Sequence, residues 1–209
     1  MKKHAKLAEK FYNKIIKLHH EEFNYKSITY SKWLDLLASK LHIGDKILDL
    51  GCGNGRAVKY VIDKGFKGIG IDVSAKMLNL ARKYVPKGKF YKKEFTEIGF
   101  KPKSIDAVMS FFALNHIPKT EFVKTMKICK KILTNDGLLL LGMVESKDKG
   151  GLFSGFYDKD MQLYGKGYTK KEISDILRKI GFKIIKIDVR HFKGKHFEED
   201  DIFILAKLN

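Results

Sequence analysis

The residues best suited to chemistry lie in KILDLGCGNGR, Lys46 to Arg56, where an apolar run meets Asp49 and then Gly51, Gly53 and Gly55. Three alternating glycines after a strand-like run allow a tight turn whose backbone can approach a ligand closely. Asp72 closes the next apolar run, GIGID, 17 residues beyond Gly55. An acid at the tip of a second parallel strand can accept both hydroxyls of a ribose. The pair therefore predicts a nucleoside-containing ligand. A phosphate-cradling P-loop would need Gly-Lys-Ser or Gly-Lys-Thr after the glycines, and neither is present. A dinucleotide turn would need glycine where Arg56 stands, which disfavours a nicotinamide dehydrogenase.

The elements that must position these residues alternate short β-branched runs with helical stretches, the pattern of a parallel sheet covered by helices. We read amphipathic helices over about 5–22 and 29–41. The expected strands are Ile47–Leu50, Gly68–Ile71, Lys89–Tyr91, Ile105–Ser110 and Leu138–Val144. A helix follows Arg56, Ser74 caps the next, and Lys119–Leu133 forms another. Thr169 caps a further helix, with Glu172 placed to complete a capping box, and Gly181 ends it. Lys183–Val189 and Ile202–Leu208 are too close for a crossover helix and predict an antiparallel hairpin. The segment Glu145–Lys166, glycine- and aromatic-rich, has no clear period and reads as a loop that is either functional or disordered.

Several motifs together resemble those of the class I S-adenosylmethionine (SAM)-dependent methyltransferases over most of the chain. ILDLGCGNG resembles their first motif and GIGID the second. KKEFTEIGF resembles the adenine-lining segment, SIDAVMSFFALNHI the fourth motif, and EEDDIFILAKL the last antiparallel strand. ILTNDGLLLLGM resembles the turn and strand between them, with Asn135-Asp136 where proline and glycine are commoner.

The resemblance implies a doubly wound α/β fold. Its sheet is seven-stranded and mostly parallel with an antiparallel last strand, in one domain over 1–209, with N-terminal helices in 1–42 and a lid-like insertion at 145–168. It implies SAM as cofactor and S-adenosylhomocysteine (SAH) as product. The implied cofactor residues are Asp49, Gly51, Cys52, Gly53, Asn54, Gly55, Asp72, Val73, Met77, Glu94, Phe95, Ser110 and Phe111. Asp72 would take the ribose, Glu94 and the Phe95 backbone the adenine, and Ser110 and Phe111 would flank the methyl donor. Glu94 stands where aspartate is more usual. Asp49 could equally cap turn amides, Met77 could be core, and Cys52 reads as a filler of the turn.

A sulfonium methyl is already activated, so positioning and water exclusion matter most. His116, beyond the fourth strand, is the candidate general base, with a loop-capping role as the plainer reading. His191 and His196 in the final hairpin are weaker candidates. The Asn-Pro-Pro-Tyr motif of enzymes acting on amide-like nitrogens is replaced by Ser110-Phe111-Phe112-Ala113. Phe153, Phe156, Tyr157, Met161, Tyr164 and Tyr168 could form an apolar lid, and Phe11, Tyr12, Tyr25 and Tyr30 could close the other side. Closure from both sides would select a small acceptor.

The chain holds 209 residues with 42 basic and 24 acidic side chains, a net +18. Such charge suits a polyanion, and RNA methylation is the runner-up function. The excess is almost all lysine, spread along the chain, and Gln162 is the one glutamine, a pattern that composition bias also produces. A non-catalytic SAM-binding subunit is the reading from another class. Cys52 and Cys129 lack metal-ligand spacing, so neither a metal nor a disulfide is expected. No apolar run is long enough for a bilayer span, and the charged N-terminus lacks a signal-peptide core. A cytoplasmic protein is expected.

Overall fold

The structure, a computed structural model, describes residues 1–16, 30–154, 160–193 and 198–209. Its centre is a seven-stranded sheet. The strands are β1 (Lys46–Leu50), β2 (Lys67–Asp72), β3 (Lys89–Lys92), β4 (Ile105–Phe111), β5 (Leu133–Val144), β8 (Phe182–Lys193) and β9 (Glu198–Leu208), in the order β3-β2-β1-β4-β5-β9-β8. The first five run parallel, and β9 lies antiparallel between β5 and β8. The short link between the last two strands leaves no room for a crossover, and they pair as the expected hairpin.

Helices cover both faces, so the inner strands are apolar on both sides. In β1, Ile47 faces Trp33, Leu34 and Leu37 of α2 (Ser31–Ala38), Val58 and Val61 of α3 (Arg56–Asp63), and Leu78 and Ala81 of α4 (Ala75–Tyr84). Leu48 and Leu50 face Phe122, Met126 and Cys129 of α5 (Lys119–Ile132) and Ile173 and Leu177 of α6 (Lys170–Ile180). This alternation fixes which strand positions reach a helix and which tips remain for a ligand.

α1 (Lys3–Lys14) lies apart from these layers. It buries Ala8 and Phe11 against Met161 and Leu163, at and beside β7 (Gln162–Gly165). That strand pairs with β6 (Gly151–Ser154) in a second, two-stranded sheet. A hairpin thus stands where the sequence suggested an irregular loop. Its strands are four residues each and too glycine-rich to show alternation.

Other boundaries also differ. The first helix spans Lys3–Lys14 rather than 5–22, and residues 17–29, including Tyr25, lie outside the described residues. The second is shorter than expected at both ends. β5 begins at Leu133, five residues early, because Ile105 pairs with Leu133 across an irregular step in register. Ser74 caps α4, its Oγ accepting the Met77 N–H at 3.1 Å. Thr169 caps α6 through the Glu172 N–H at 3.1 Å. The capping box is only half made, since the Glu172 carboxylate instead meets Lys119 at 2.7 Å and Lys166 at 3.4 Å. Gly181 stops α6 in the left-handed region at φ 111°.

Candidate active site

Three glycines shape the turn after β1, with φ of 76° at Gly51, 50° at Gly53 and 85° at Gly55. All lie in the left-handed region, where L side chains are strained. A Cβ at Gly51 would sit 2.1 Å from the Ala113 Cβ, so this glycine lets the turn meet the loop after β4. A Cβ at Gly53 would meet nothing within 4 Å. That open face is what a ligand-holding turn requires. The Gly53 N–H donates to Asp72 Oδ2 at 2.9 Å, and the Ser74 N–H to Asp72 Oδ1 at 2.8 Å. Each oxygen keeps a further lone pair for a ligand hydroxyl. Burial raises the Asp72 carboxyl above its ordinary range, opposed by the N–H groups of Ser74, Gly53 and Val73.

A cavity of about 50 Å³ opens beside this turn. Of the expected site residues, Gly51, Asp72, Val73, Glu94, Phe95 and His116 line it. These come from four separate strand exits, brought together at the carboxyl edge of the sheet. Glu94 is buried, and its Oε1 accepts the Lys2 backbone N–H at 3.1 Å, the same kind of donor as an adenine amine. α1 forms the roof through His4, Ala5, Ala8 and Tyr12, and Ala113, Ile117 and Glu121 complete the wall. The roof residues carry no motif; the sequence placed them on an amphipathic helix and offered Tyr12 as one of the aromatics that could close this side of the site.

The other expected residues support the site from beneath or beside it. Asp49 is 3% exposed, and burial, followed by the nearby Asp72 charge, pushes its carboxyl up to about 8. Cys52 packs in the core on the α2 side, and burial raises its thiol well above the usual range, as for a filler of the turn. Asn54 and Met77 are buried, and Gly55 caps α3. Neither Ser110 nor Phe111 lines the cavity. The Ser110 hydroxyl donates to the Leu50 carbonyl at 2.7 Å, and Phe111 stacks on Tyr30 at 3.8 Å between ring centroids.

His116 has the best-defined geometry. The Tyr164 carbonyl, 2.9 Å from Nδ1, can only accept, so Nδ1 carries the proton. Nε2 is then the acceptor for the Tyr12 hydroxyl at 2.9 Å. Burial lowers the imidazole pKa, partly offset by the Tyr164 carbonyl, and keeps the ring neutral at pH 7. His116 is therefore a neutral imidazole in one tautomer with its basic nitrogen toward α1. His191 instead lies exposed between Asp200 (2.9 Å) and Glu198 (2.8 Å), away from this cavity. His196, Phe156 and Tyr157 fall outside the described residues.

The lid aromatics divide. Met161 packs under α1, whereas Tyr168 is fully buried against Phe122, 5.0 Å between ring centroids, as part of the main core. Among the described residues, no group of three or more His, Cys, Asp or Glu could hold a metal ion, and no helix is long and apolar enough to cross a membrane.

The turn, Asp72 and Glu94 fit a nucleoside donor in chemistry. A small-molecule site usually needs about 300–1,000 Å³. With α1 where it lies, about 50 Å³ is open beside the turn, so a shift of α1 is expected when a whole nucleoside cofactor enters.

The methyltransferase-domain family model matches residues 47–137, the stretch from β1 into β5. A putative methyltransferase, YqeM, of Bacillus subtilis is 30% identical over 138 residues, covering 63% of this chain and 56% of that protein. The chain thus spans just over half the length of that relative. A ubiquinone biosynthesis O-methyltransferase of Pelagibacter ubique is 24% identical over 217 residues, 92% of this chain and 87% of the relative. The solved structure of the Burkholderia thailandensis 1,6-didemethyltoxoflavin-N1-methyltransferase, with its substrate and SAH bound, superposes with a TM-score of 0.73 at 17% identity. The superposition covers 100% of this chain and 92% of that one. Residues 47–137 match the methyltransferase-domain family, and the whole chain has the fold of solved SAM-dependent methyltransferases, with the glycine turn and strand-tip acids in agreement.

Proposed function

We propose that this chain transfers a methyl group from SAM to an oxygen or nitrogen of a small-molecule acceptor, with His116 as general base. One observation carries the reading. His116 Nε2 is an unprotonated base in the cavity that Asp72 and Glu94 also line, under a roof formed by α1 packed on the β6–β7 hairpin. Closure from both sides favours a small acceptor over a nucleic-acid chain. The O-methyltransferase among the relatives and the N1-methyltransferase among the structural neighbours act on small molecules and differ in the atom their names specify.

In this reading Asp72 accepts the ribose hydroxyls, Glu94 an exocyclic adenine N–H, and Val73 and Phe95 supply apolar contact. When bound, SAM contributes an electrophilic methyl on a sulfonium. His116 would take the acceptor's proton on Nε2, freeing the acceptor lone pair for the methyl that bound SAM would supply, with SAH as the leaving group. The Tyr164 carbonyl steadies the resulting imidazolium through Nδ1–H. Tyr12 must release Nε2 first, because its hydroxyl holds that lone pair.

The test is transfer of labelled methyl from SAM to a panel of hydroxyl- and amine-bearing small molecules, with SAH binding measured alongside. His116→Gln should lose roughly 100-fold or more in transfer and keep its SAH affinity. Equal transfer by His116→Gln on a panel member that the wild type methylates would overturn the assignment.

A further inference from the structure

We infer that Asn115 is a positioning residue for His116, setting the imidazole's tautomer and direction by clamping the exit of the β6–β7 hairpin to the loop after β4. The inference rests on the reading of His116 as the base.

The side chain of Asn115 is 4% exposed and uses both ends of its amide. Nδ2 donates to the Lys166 carbonyl at 2.7 Å, and Oδ1 accepts the Val144 N–H at 3.3 Å. Its own carbonyl accepts the Lys166 N–H at 2.9 Å. One residue on, His116 donates Nδ1–H to the Tyr164 carbonyl, two residues before Lys166. Residues 115 and 116 thus grip 164 and 166 much as neighbouring strands do. The Tyr164 carbonyl that fixes the tautomer belongs to a segment that Asn115 holds in place.

The far side of that segment is held as firmly. Lys166 is 6% exposed, with Nζ donating to the carbonyls of Gly167 at 2.8 Å and Asp148 at 3.0 Å, and lying 3.4 Å from Glu172 Oε2. Nζ also sits 4.6 Å from the Tyr168 ring centroid. With Lys166 anchored there, the Asn115 amide decides how residues 164–166 register against His116. A carboxylate of the same shape could still accept from Val144 but would face the Lys166 carbonyl with like polarity. A serine could not reach both partners. Small displacements of a catalytic group cost heavily in rate, so a clamp here acts on the chemical step rather than on cofactor affinity.

The deciding experiment is nitrogen NMR of protein labelled in its histidine rings, with His116 assigned by its disappearance in His116→Gln. Wild type should show a pure Nδ1–H tautomer and a titration below the free-imidazole range. Asn115→Asp should lose the pure tautomer while SAH affinity stays unchanged. Asn115→Ser, which adds no charge, should also lose it and titrate closer to free imidazole, which separates mispositioning from a Coulomb effect. The serine variant also carries the test should the aspartate variant fail to fold. A pure Nδ1–H tautomer and an unshifted titration in a folded variant would overturn the clamp. Full methyl transfer by His116→Gln would instead overturn the base assignment, and the tautomer spectra would still decide the clamp.

Discussion

The Gly53 N–H and the Asp72 carboxylate are bonded at 2.9 Å, so the turn after the first strand is tied to the tip of the second. The residue read as gripping the sugar also shapes the glycine turn. Asp72→Ala removes a charged acceptor and loosens the turn. SAH affinity should fall by about 1–3 kcal/mol, roughly 5- to 150-fold. Calorimetric titration measures it, and an unchanged affinity would remove Asp72 from the ribose site.

Gly51 and Gly53 should separate stability from binding. An added methyl at Gly51 collides with Ala113, so Gly51→Ala should cost at least about 2 kcal/mol of stability. At Gly53 the methyl enters open space and meets only backbone strain of about 1 kcal/mol. Gly53→Ala should stay folded and lose SAH affinity, because its methyl occupies the face read as the cradle. Thermal melts and calorimetry on the two variants give the comparison.

If Asp49 faces the donor, as the resemblance implies, donor binding should be proton-linked. With its carboxyl pushed up to about 8, it is largely protonated at pH 7 without ligand. The cationic methionine end of SAM favours the carboxylate, so binding at pH 7 should release a proton and tighten as pH rises toward 8. Calorimetry in buffers of different ionisation enthalpy should detect the release, and Asp49→Asn should abolish it.

The same group shapes stability in the absence of ligand. Its folded pKa exceeds the unfolded value of 3.8, so the contribution is full below that value and is lost as pH rises through 8. Melting temperatures between pH 5 and 8 should therefore decline less in Asp49→Asn than in wild type.

Tyr12 bonds the roof to the base through its hydroxyl. Tyr12→Phe keeps the ring's packing and removes the bond to Nε2. Stopped-flow binding should show SAH associating faster, and the His116 titration should move up, since a hydrogen bond to the neutral ring is lost. An unchanged rate and titration would mean that α1 lifts independently of this bond.

The frame of this site was readable from residue order because local rules decide it. Apolar runs with glycine turns mark β1 and β2, Asp72 follows from its place at a strand tip, and the short link from Val189 to Ile202 requires a hairpin. His116 was visible from its distance past β4. Ser110 and Phe111 have side-chain partners that residue order does not reveal. Successive strand residues point to opposite faces, and here one side chain bonds the Leu50 carbonyl of the neighbouring strand while the other stacks on Tyr30. Asn115 left no local signal, and Tyr12 showed only as one of the N-terminal aromatics that could close the site. Their roles depend on α1 docking on β7 and on Lys166 meeting the loop after β4, and the bonds themselves join residues 51 positions apart (Asn115 and Lys166) and 104 apart (Tyr12 and His116).

A roof made of one short helix has a kinetic consequence. Ala5 and Ala8 line the cavity in which the nucleoside is read to sit, so its exchange should require this helix to shift. If that shift is slower than the chemistry, turnover keeps time with a door rather than with the methyl's flight, and the steady-state rate should fall with solvent viscosity, which slows a swinging helix but not an in-line displacement.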